Sequence, residues 1–237
     1  MEALYLENSY LKECEATVVA VTGKDIVLDK NLFYPRGGGQ PNDTGKVISD
    51  SGQEFKVVMV MKKDGQIIHE LETESSGLVV GANVKCILDW PRRYKLMRMH
   101  TAAHVLGSVM YKELGVLISG NQLEEDKTRF DFTMAEFDRN VFEKVVEKAN
   151  QELLKDVELK IYSLPRDDAM KIEGVVKLAG ALPPSITTLR IVEIPGIDIQ
   201  ADGGTHIKNL KEVGQISILR LDNKGKENRR IYFTLNE

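Results

Sequence analysis

Cysteine is nearly missing from the sequence. Only Cys14 and Cys86 occur, with no paired spacing, which argues against a disulfide framework. No apolar run approaches the roughly 20 residues that a bilayer span needs. The first residues, MEALYLENSYLKECEA, carry acids early and lack the basic-then-apolar pattern of a signal peptide. Together these absences predict a cytoplasmic protein with no membrane attachment. Surplus positive charge is missing too. The formal net charge is -4, whereas indiscriminate nucleic-acid binding feeds on excess Lys and Arg. No internal repeat or low-complexity tract is present.

What remains is the composition of an ordinary globular protein: 237 residues, 42% hydrophobic and 29% charged. That length suits one large domain or two modest ones. Positive charge clusters in PRRYKLMR (Arg92, Arg93, Lys95, Arg98) and NKGKENRR (Lys224, Lys226, Arg229, Arg230). On charge alone these read as a solvated helix end and a charged hairpin turn.

The first ninety residues predict β structure. EATVVAV and DIVLD flank a Thr-Gly-Lys turn, EFKVVMVMK and QIIHEL flank Lys-Asp-Gly, and NVKCILDW supplies a further strand. Many short strands with tight turns suggest a small barrel. At DWPRRYKLMRMHTAAHVLGSVMYKELG the period changes to that of a helix, opened by Pro91 and ended by Gly115. Its apolar stripe runs through Leu96, Met99, Ala103, Leu106 and Met110. TRFDFTM alternates as a strand. Thr133 and Glu136 form a capping-box pattern for a second helix, with a stripe through Phe137, Val141, Val145, Ala149 and Leu153. VELKIYSL, TLRIVEI, QISILRL and RRIYFTL predict further strands, and RDDAMKI a short helix. The second region is thus α+β, with helices on an antiparallel sheet, and the boundary falls near residue 90.

Two of the four histidines form HTAAH on the predicted helix. His100 and His104, at i and i+4, share one helix face and can bind one metal ion. The Glu of a His-Glu-x-x-His peptidase is absent, with Thr101 in its place, which disfavours that class. Packing or capping is the plainer role for such a pair, but histidine is sparse here and the spacing favours a metal. His206, reached through a glycine-rich turn, is the natural third ligand. Asp202 is a candidate fourth, although Asp before Gly-Gly is also an ordinary turn signal. Histidine and carboxylate without thiolate suit a catalytic or exchangeable zinc better than a closed structural one. His69, in a predicted hairpin strand, reads as structural. In NLFYPRGGGQPNDTG, Gly37, Gly38 and Gly39 give a close-approach backbone whose amides can hold a carbonyl or phosphate. Gln40 is the useful polar group there. No Walker or dinucleotide fingerprint is present.

These stretches together resemble the AlaX family of alanyl-tRNA editing proteins and the related editing domain of alanyl-tRNA synthetase. The matching residues are Phe33-Tyr34-Pro35 through Gly38-Gly39-Gln40 and Asp43 to Gly45, then His100 to His104. Arg129-Phe130-Asp131-Phe132 and Gly204-Thr205-His206 follow in the same order over nearly the whole chain. The length leaves no room for an aminoacylation domain and fits the medium-length type. The resemblance implies a small β-barrel over 1–90, then over 91–237 a two-layer α/β editing domain with an antiparallel sheet, shared with threonyl-tRNA synthetase. It implies ATP-independent hydrolysis of serine, or glycine, from alanine tRNA, with one zinc ion per chain. His100, His104 and His206 are the implied ligands, and Asp202 stands where the family usually has cysteine. An aspartate there either ligates the metal or stands back and orients a histidine. Gln40, the three glycines and Thr44 become contacts for the aminoacyl end. Arg92, Arg93, Lys95 and the KGKENRR turn become phosphate contacts. The competing readings are a non-catalytic, zinc-stabilised RNA-binding module and an unrelated small metallohydrolase.

Overall fold

Alternating side chains and tight turns build the first part of the molecule. The computed structural model describes residues 2–136, 138–175 and 186–236, and it divides into two units, Met1–Leu96 and Met97–Glu237. In the first, a short helix α1 (Leu4–Glu7) precedes β1 (Glu13–Thr22), β2 (Asp25–Leu28), β3 (Gly45–Ser49), β4 (Glu54–Lys63), β5 (Gln66–Leu71) and β6 (Asn83–Leu88). The strands close into an antiparallel barrel in the order β1-β2-β5-β4-β3-β6. The β4–β5 turn is Asp64-Gly65, with φ of 50° and 75°, the pair of left-handed residues of a type I′ hairpin. Register shifts between Val18 and Ala20 and between Val57 and Met59 bend the two longest strands around the barrel. β3 pairs with both β4 and β6. Its first residue must be glycine, because a Cβ on Gly45 would lie 2.2 Å from the Ile87 carbonyl oxygen. Val18, Ile26, Leu28, Phe55, Val57 and Leu71 fill the core.

One polar side chain shares that burial. His69 on β5 is fully buried, sits edge-on to Phe33 at 5.6 Å between ring centroids, and has no well-formed hydrogen bond to either ring nitrogen among the described residues. Burial pushes its pKa down to about 4, opposed in part by the Ile26 backbone. The unfolded chain takes up this proton near the ordinary value of 6.5, the folded chain only near 4. Stability is therefore full above pH 6.5 and drains as the pH falls towards 4, by about 3 kcal/mol in all. A His69→Leu variant is expected to shed most of that acid sensitivity. Denaturant unfolding at pH 7 and pH 4.5, followed through the single tryptophan, Trp90, which packs against the barrel core, measures it. Equal losses in the two proteins would place the titration elsewhere.

The second unit is built on a long helix and two sheets. α2 spans Trp90–Leu114, followed by β7 (Ile118–Leu123), β8 (Thr128–Thr133), α3 (Arg139–Leu153), β9 (Lys160–Pro165), α4 (Arg166–Ala169), β10 (Thr188–Ile194), β11 (Asp198–Ala201), β12 (Gln215–Asn223) and β13 (Asn228–Asn236). The stripe Leu96, Met99, Ala103, Leu106 and Met110 is buried, and so are Ala102, Val105 and Val109. The middle of α2 is thus buried all round, as a core helix is. One antiparallel sheet has the order β12-β13-β8-β7 and another β11-β10-β9. Phe130, Phe132 and Phe233 cluster on the inner side of the first. α3 lies along β12, where the Asn150 amide bonds both backbone groups of Ile216 at 2.8 and 2.9 Å. The α+β class, barrel first and antiparallel sheets after, is as expected from the sequence.

The start of α3 is not. Thr133 closes β8 and exchanges hydrogen bonds with the Leu117 backbone at 3.2 and 3.3 Å, so it is not a helix cap. Asp138 is the cap, accepting from the Asn140 N–H at 2.8 Å. The buried face is Phe142, Val145, Val146, Ala149 and Leu153, with Val141 at its margin. Phe137 lies outside the described residues. No helix among the described residues is long and apolar enough to cross a membrane.

Candidate metal centre

Helical spacing alone sets the first two side chains. His100 and His104 lie one turn apart on α2, both buried, with ring centroids 5.0 Å apart. The other two come from the segment after β11. Asp202 is tethered at its backbone, its N–H donating to the Arg190 carbonyl at 3.0 Å and its own carbonyl accepting from Arg190 Nη1 at 2.9 Å. Its Oδ2 then accepts the Gly204 N–H at 2.7 Å. That closes the Asp-Gly-Gly turn and brings His206 back over the helix, at centroid distances of 4.3 Å from His100 and 4.7 Å from His104. One ligand atom from each of the four residues lies within 4.8 Å of all the others.

Two of the far ring nitrogens are engaged from behind. His104 Nδ1 is 2.9 Å from Asp198 Oδ2, and His206 Nδ1 is 3.1 Å from Thr101 Oγ1. With Nδ1 donating to these oxygens, the lone pair of each ring is on Nε2, on the side of the other ligands. Asp202 stands on the opposite side from those supports. Its Oδ2 is 3.0 Å from His206 Nε2 and its Oδ1 is 3.6 Å from His100 Nε2. A carboxylate that merely orients a ring holds the nitrogen turned away from the metal, as Asp198 does. Asp202 faces the nitrogens that would bind.

Electrostatics prepares the same set. Burial drives the His100 pKa well below its ordinary value and that of His206 down to about 4, with Asp202 opposing in both cases. Burial pulls the Asp202 carboxyl the other way, but the surrounding histidines, His100 first, outweigh it and hold its pKa well below the usual range. Neutral imidazoles around an anionic carboxylate are the protonation states a divalent ion requires, because no proton need be displaced. Three imidazole nitrogens and one carboxylate oxygen without sulfur suit a divalent transition-metal ion.

Most other residues singled out in the sequence lie in the barrel unit. Gly37 and Gln40 exchange backbone hydrogen bonds at 2.9 and 3.1 Å around Gly38 and Gly39, and the Gln40 residue is only 1% exposed. The Thr44 hydroxyl donates to Asp89 Oδ2 at 3.2 Å, at the edge of a cleft of about 590 Å³. Arg92 donates through Nε and Nη2 to the Asn42 carbonyl at 3.2 and 3.0 Å, and Lys95 is exposed. Arg93 is a correction. It is 0% exposed, paired with Asp43 through Nε at 2.9 Å and donating to the carbonyls of Ser9 and Leu32 at 2.9 Å. A guanidinium so enclosed cannot reach a phosphate. In the KGKENRR turn the two arginines are corrected likewise, since Arg229 is buried against the carbonyls of Ala135, Gly225 and Asn228, and Arg230 grips Asp131; Lys224 and Lys226 are exposed.

The roles of three residues escape the sequence: Asp198 and Thr101 behind the histidines, and Asp43, which stands in a matching motif there, as the buried partner of Arg93. Asp198 and Gln200 face inward on β11, a position that the short, mixed sequence IDIQA does not itself announce.

Residues 3–92 match the family described as tRNA synthetases class II (A), and residues 189–232 match the threonyl and alanyl tRNA synthetase second additional domain. The chain is 45% identical over 235 residues to the alanyl-tRNA editing protein AlaX-M of Saccharolobus solfataricus, a match that covers 99% of this chain and 98% of that one. It is 48% identical over 241 residues to the AlaX-M protein of Methanosarcina mazei, covering 99% and 96%. It is also 42% identical over 220 residues to the alanine–tRNA ligase of Thermofilum pendens, which takes in 91% of this chain and 24% of that enzyme.

Proposed function

The chain belongs to the AlaX-M family of alanyl-tRNA editing proteins, and from that premise we propose that it hydrolyses the ester joining serine, or glycine, to alanine tRNA. It is an aminoacyl-tRNA deacylase by membership. One zinc ion is proposed at His100, His104, Asp202 and His206, and the convergence of these four buried side chains is the observation that carries this reading. A bound zinc ion supplies Lewis acidity, either to a water or to the substrate's amino group.

The chain's own residues do the positioning. Asp198 and Thr101 fix the ring orientations of His104 and His206. Asp202 lends the negative charge that offsets a dication. Gln40, Thr44 and the amides of Gly37, Gly38 and Gly39 are proposed to hold the aminoacyl end, with Thr44 taking the serine hydroxyl. A site built around that hydroxyl rejects alanine, which leaves a buried polar group unpaired. Arg92 and Lys95 are proposed phosphate contacts, which position the tRNA without reading its sequence.

The deciding experiment incubates the zinc-loaded chain with alanine tRNA charged with serine, glycine or alanine. The serine or glycine ester is expected to shorten in lifetime while the alanine ester is spared. An unchanged ester half-life at micromolar protein would sink the reading and leave a non-catalytic RNA-binding module. Asp202 has its own test. An Asp202→Cys variant installs the thiolate usual at that place, and zinc favours thiolate over carboxylate. We expect its zinc to resist a competing chelator at least about tenfold better. Equal chelator sensitivity would remove Asp202 from the ligand set.

A further inference from the structure

The Arg129-Phe130-Asp131-Phe132 stretch has no part in the metal centre. Its phenylalanines point into the core, so its Arg and Asp lie on the outer side of the four-stranded sheet. There one rung crosses all four strands. Arg220 on β12 is opposite Tyr232 on β13, Tyr232 is opposite Arg129 on β8, and Arg129 is opposite Gln122 on β7. The Arg220 guanidinium lies 4.3 Å from the centre of the Tyr232 ring. The rung floors an open groove of about 450 Å³, whose walls add Lys127, Glu124 and Leu219.

Charge in this groove runs against that of the whole. Three cations, Lys127, Arg129 and Arg220, and one acid, Glu124, line the groove itself, with Asp222 and Asp131 at its edge beside Arg220 and Arg129, in a chain of net charge -4. The adjacent rung explains why Arg129 is available. There Arg230 donates to both oxygens of Asp131, at 2.5 and 3.0 Å, and satisfies that carboxylate. Arg129 Nε is itself buried, 3.7 Å from Asp131 Oδ2 and without a hydrogen-bond partner among the described residues, but the side chain as a whole is 30% exposed. The other ion pairs, Arg220–Asp222 at 3.0 Å and Lys127–Glu124 at 3.0 Å, are exposed at the cationic end and so weak enough to yield to a phosphate.

We propose that this rung is a binding site for single-stranded RNA: a base stacks on Tyr232, phosphates meet Arg129 and Arg220, and the Gln122 amide meets a base edge. An open antiparallel sheet with a central aromatic and flanking guanidiniums is a general solution for holding unpaired nucleotides, because every base offers a π-face. The proposal rests on the tRNA-editing reading for its choice of RNA and gives the tRNA a contact apart from the metal centre.

Binding of uncharged alanine tRNA to the zinc-loaded full chain tests it, by fluorescence anisotropy between 50 and 200 mM salt. Tyr232→Ala and Arg129→Gln are expected to weaken binding about five- to tenfold, while Tyr232→Phe, which keeps the stacking face, binds as the parent does. Arg220 is 60% exposed, so Arg220→Gln folds regardless, and it is expected to lower the salt slope by about 1. On seryl-tRNA these changes appear in KM with kcat unchanged. Unaltered tRNA affinity and salt slope in Arg220→Gln and Tyr232→Ala would overturn the proposal. So would a parent protein that self-associates and is dispersed by Arg220→Gln with tRNA affinity intact, since the rung is then a contact between copies. Because uncharged tRNA is used, absence of hydrolysis leaves this result readable, and loss of the RNA site leaves kcat in the editing assay unchanged.

Discussion

A His104→Ala protein is expected to lose its zinc and, with it, at least about a thousandfold of its deacylation rate, equivalent to roughly 4 kcal/mol in the barrier. His104 is chosen because two features converge on it. It faces the shared ligand space with His100, His206 and Asp202, and Asp198 holds its far nitrogen at 2.9 Å. Loss of the imidazole therefore removes both a donor and the link to its support. Asp198→Asn makes the graded comparison. It keeps the size and one oxygen but removes the charge that strengthens the ring as a donor, and metal affinity is expected to fall by about 10- to 100-fold. Metal content by mass spectrometry and single-turnover hydrolysis of seryl-tRNA, measured on the same preparations, should fall together in that order. Full activity in metal-free His104→Ala would end the zinc mechanism and leave editing itself standing.

How far the sequence foretells this depends on the range of the interaction involved. The HTAAH pair is legible because both its members lie on one helix turn, and 3.6 residues per turn does the geometry. The barrel hairpins are legible for the same local reason, as in the Asp64-Gly65 turn. β3, β7 and β11 are short and mixed in polarity, and only their partners make them strands. Thr133 misleads because a local capping signal competes with pairing across a sheet, and the sheet wins. The same holds for Asp202. Its neighbours in sequence describe a turn, and the turn is real, but only α2 reveals what it is turned towards.

Arg93 is the sharpest case of a residue whose meaning lies elsewhere in the chain, and it carries the second large effect. In sequence it belongs to a cluster of cations; in the structure its partner Asp43 is 50 residues away and both side chains are fully buried. Arg93→Ala strands the Asp43 carboxylate, which then keeps only the Tyr34 N–H among its described donors. Breaking one side of such a pair costs about 3–5 kcal/mol, a large fraction of the roughly 5–15 kcal/mol that holds a domain together. We expect the barrel to unfold at much lower denaturant, read by Trp90 fluorescence. Adding Asp43→Asn to Arg93→Met should recover part of the loss, because no bare charge is then buried while the Asn oxygen can still accept from Tyr34. Recovery stays partial, since the Ser9 and Leu32 carbonyls lose their donor. The phosphate-contact alternative predicts the reverse pattern: near-normal stability in Arg93→Ala, a raised KM for tRNA, and no benefit from changing Asp43. Because changing Asp43 restores stability in one case and has no effect in the other, the double variant separates a structural arginine from an RNA-binding one.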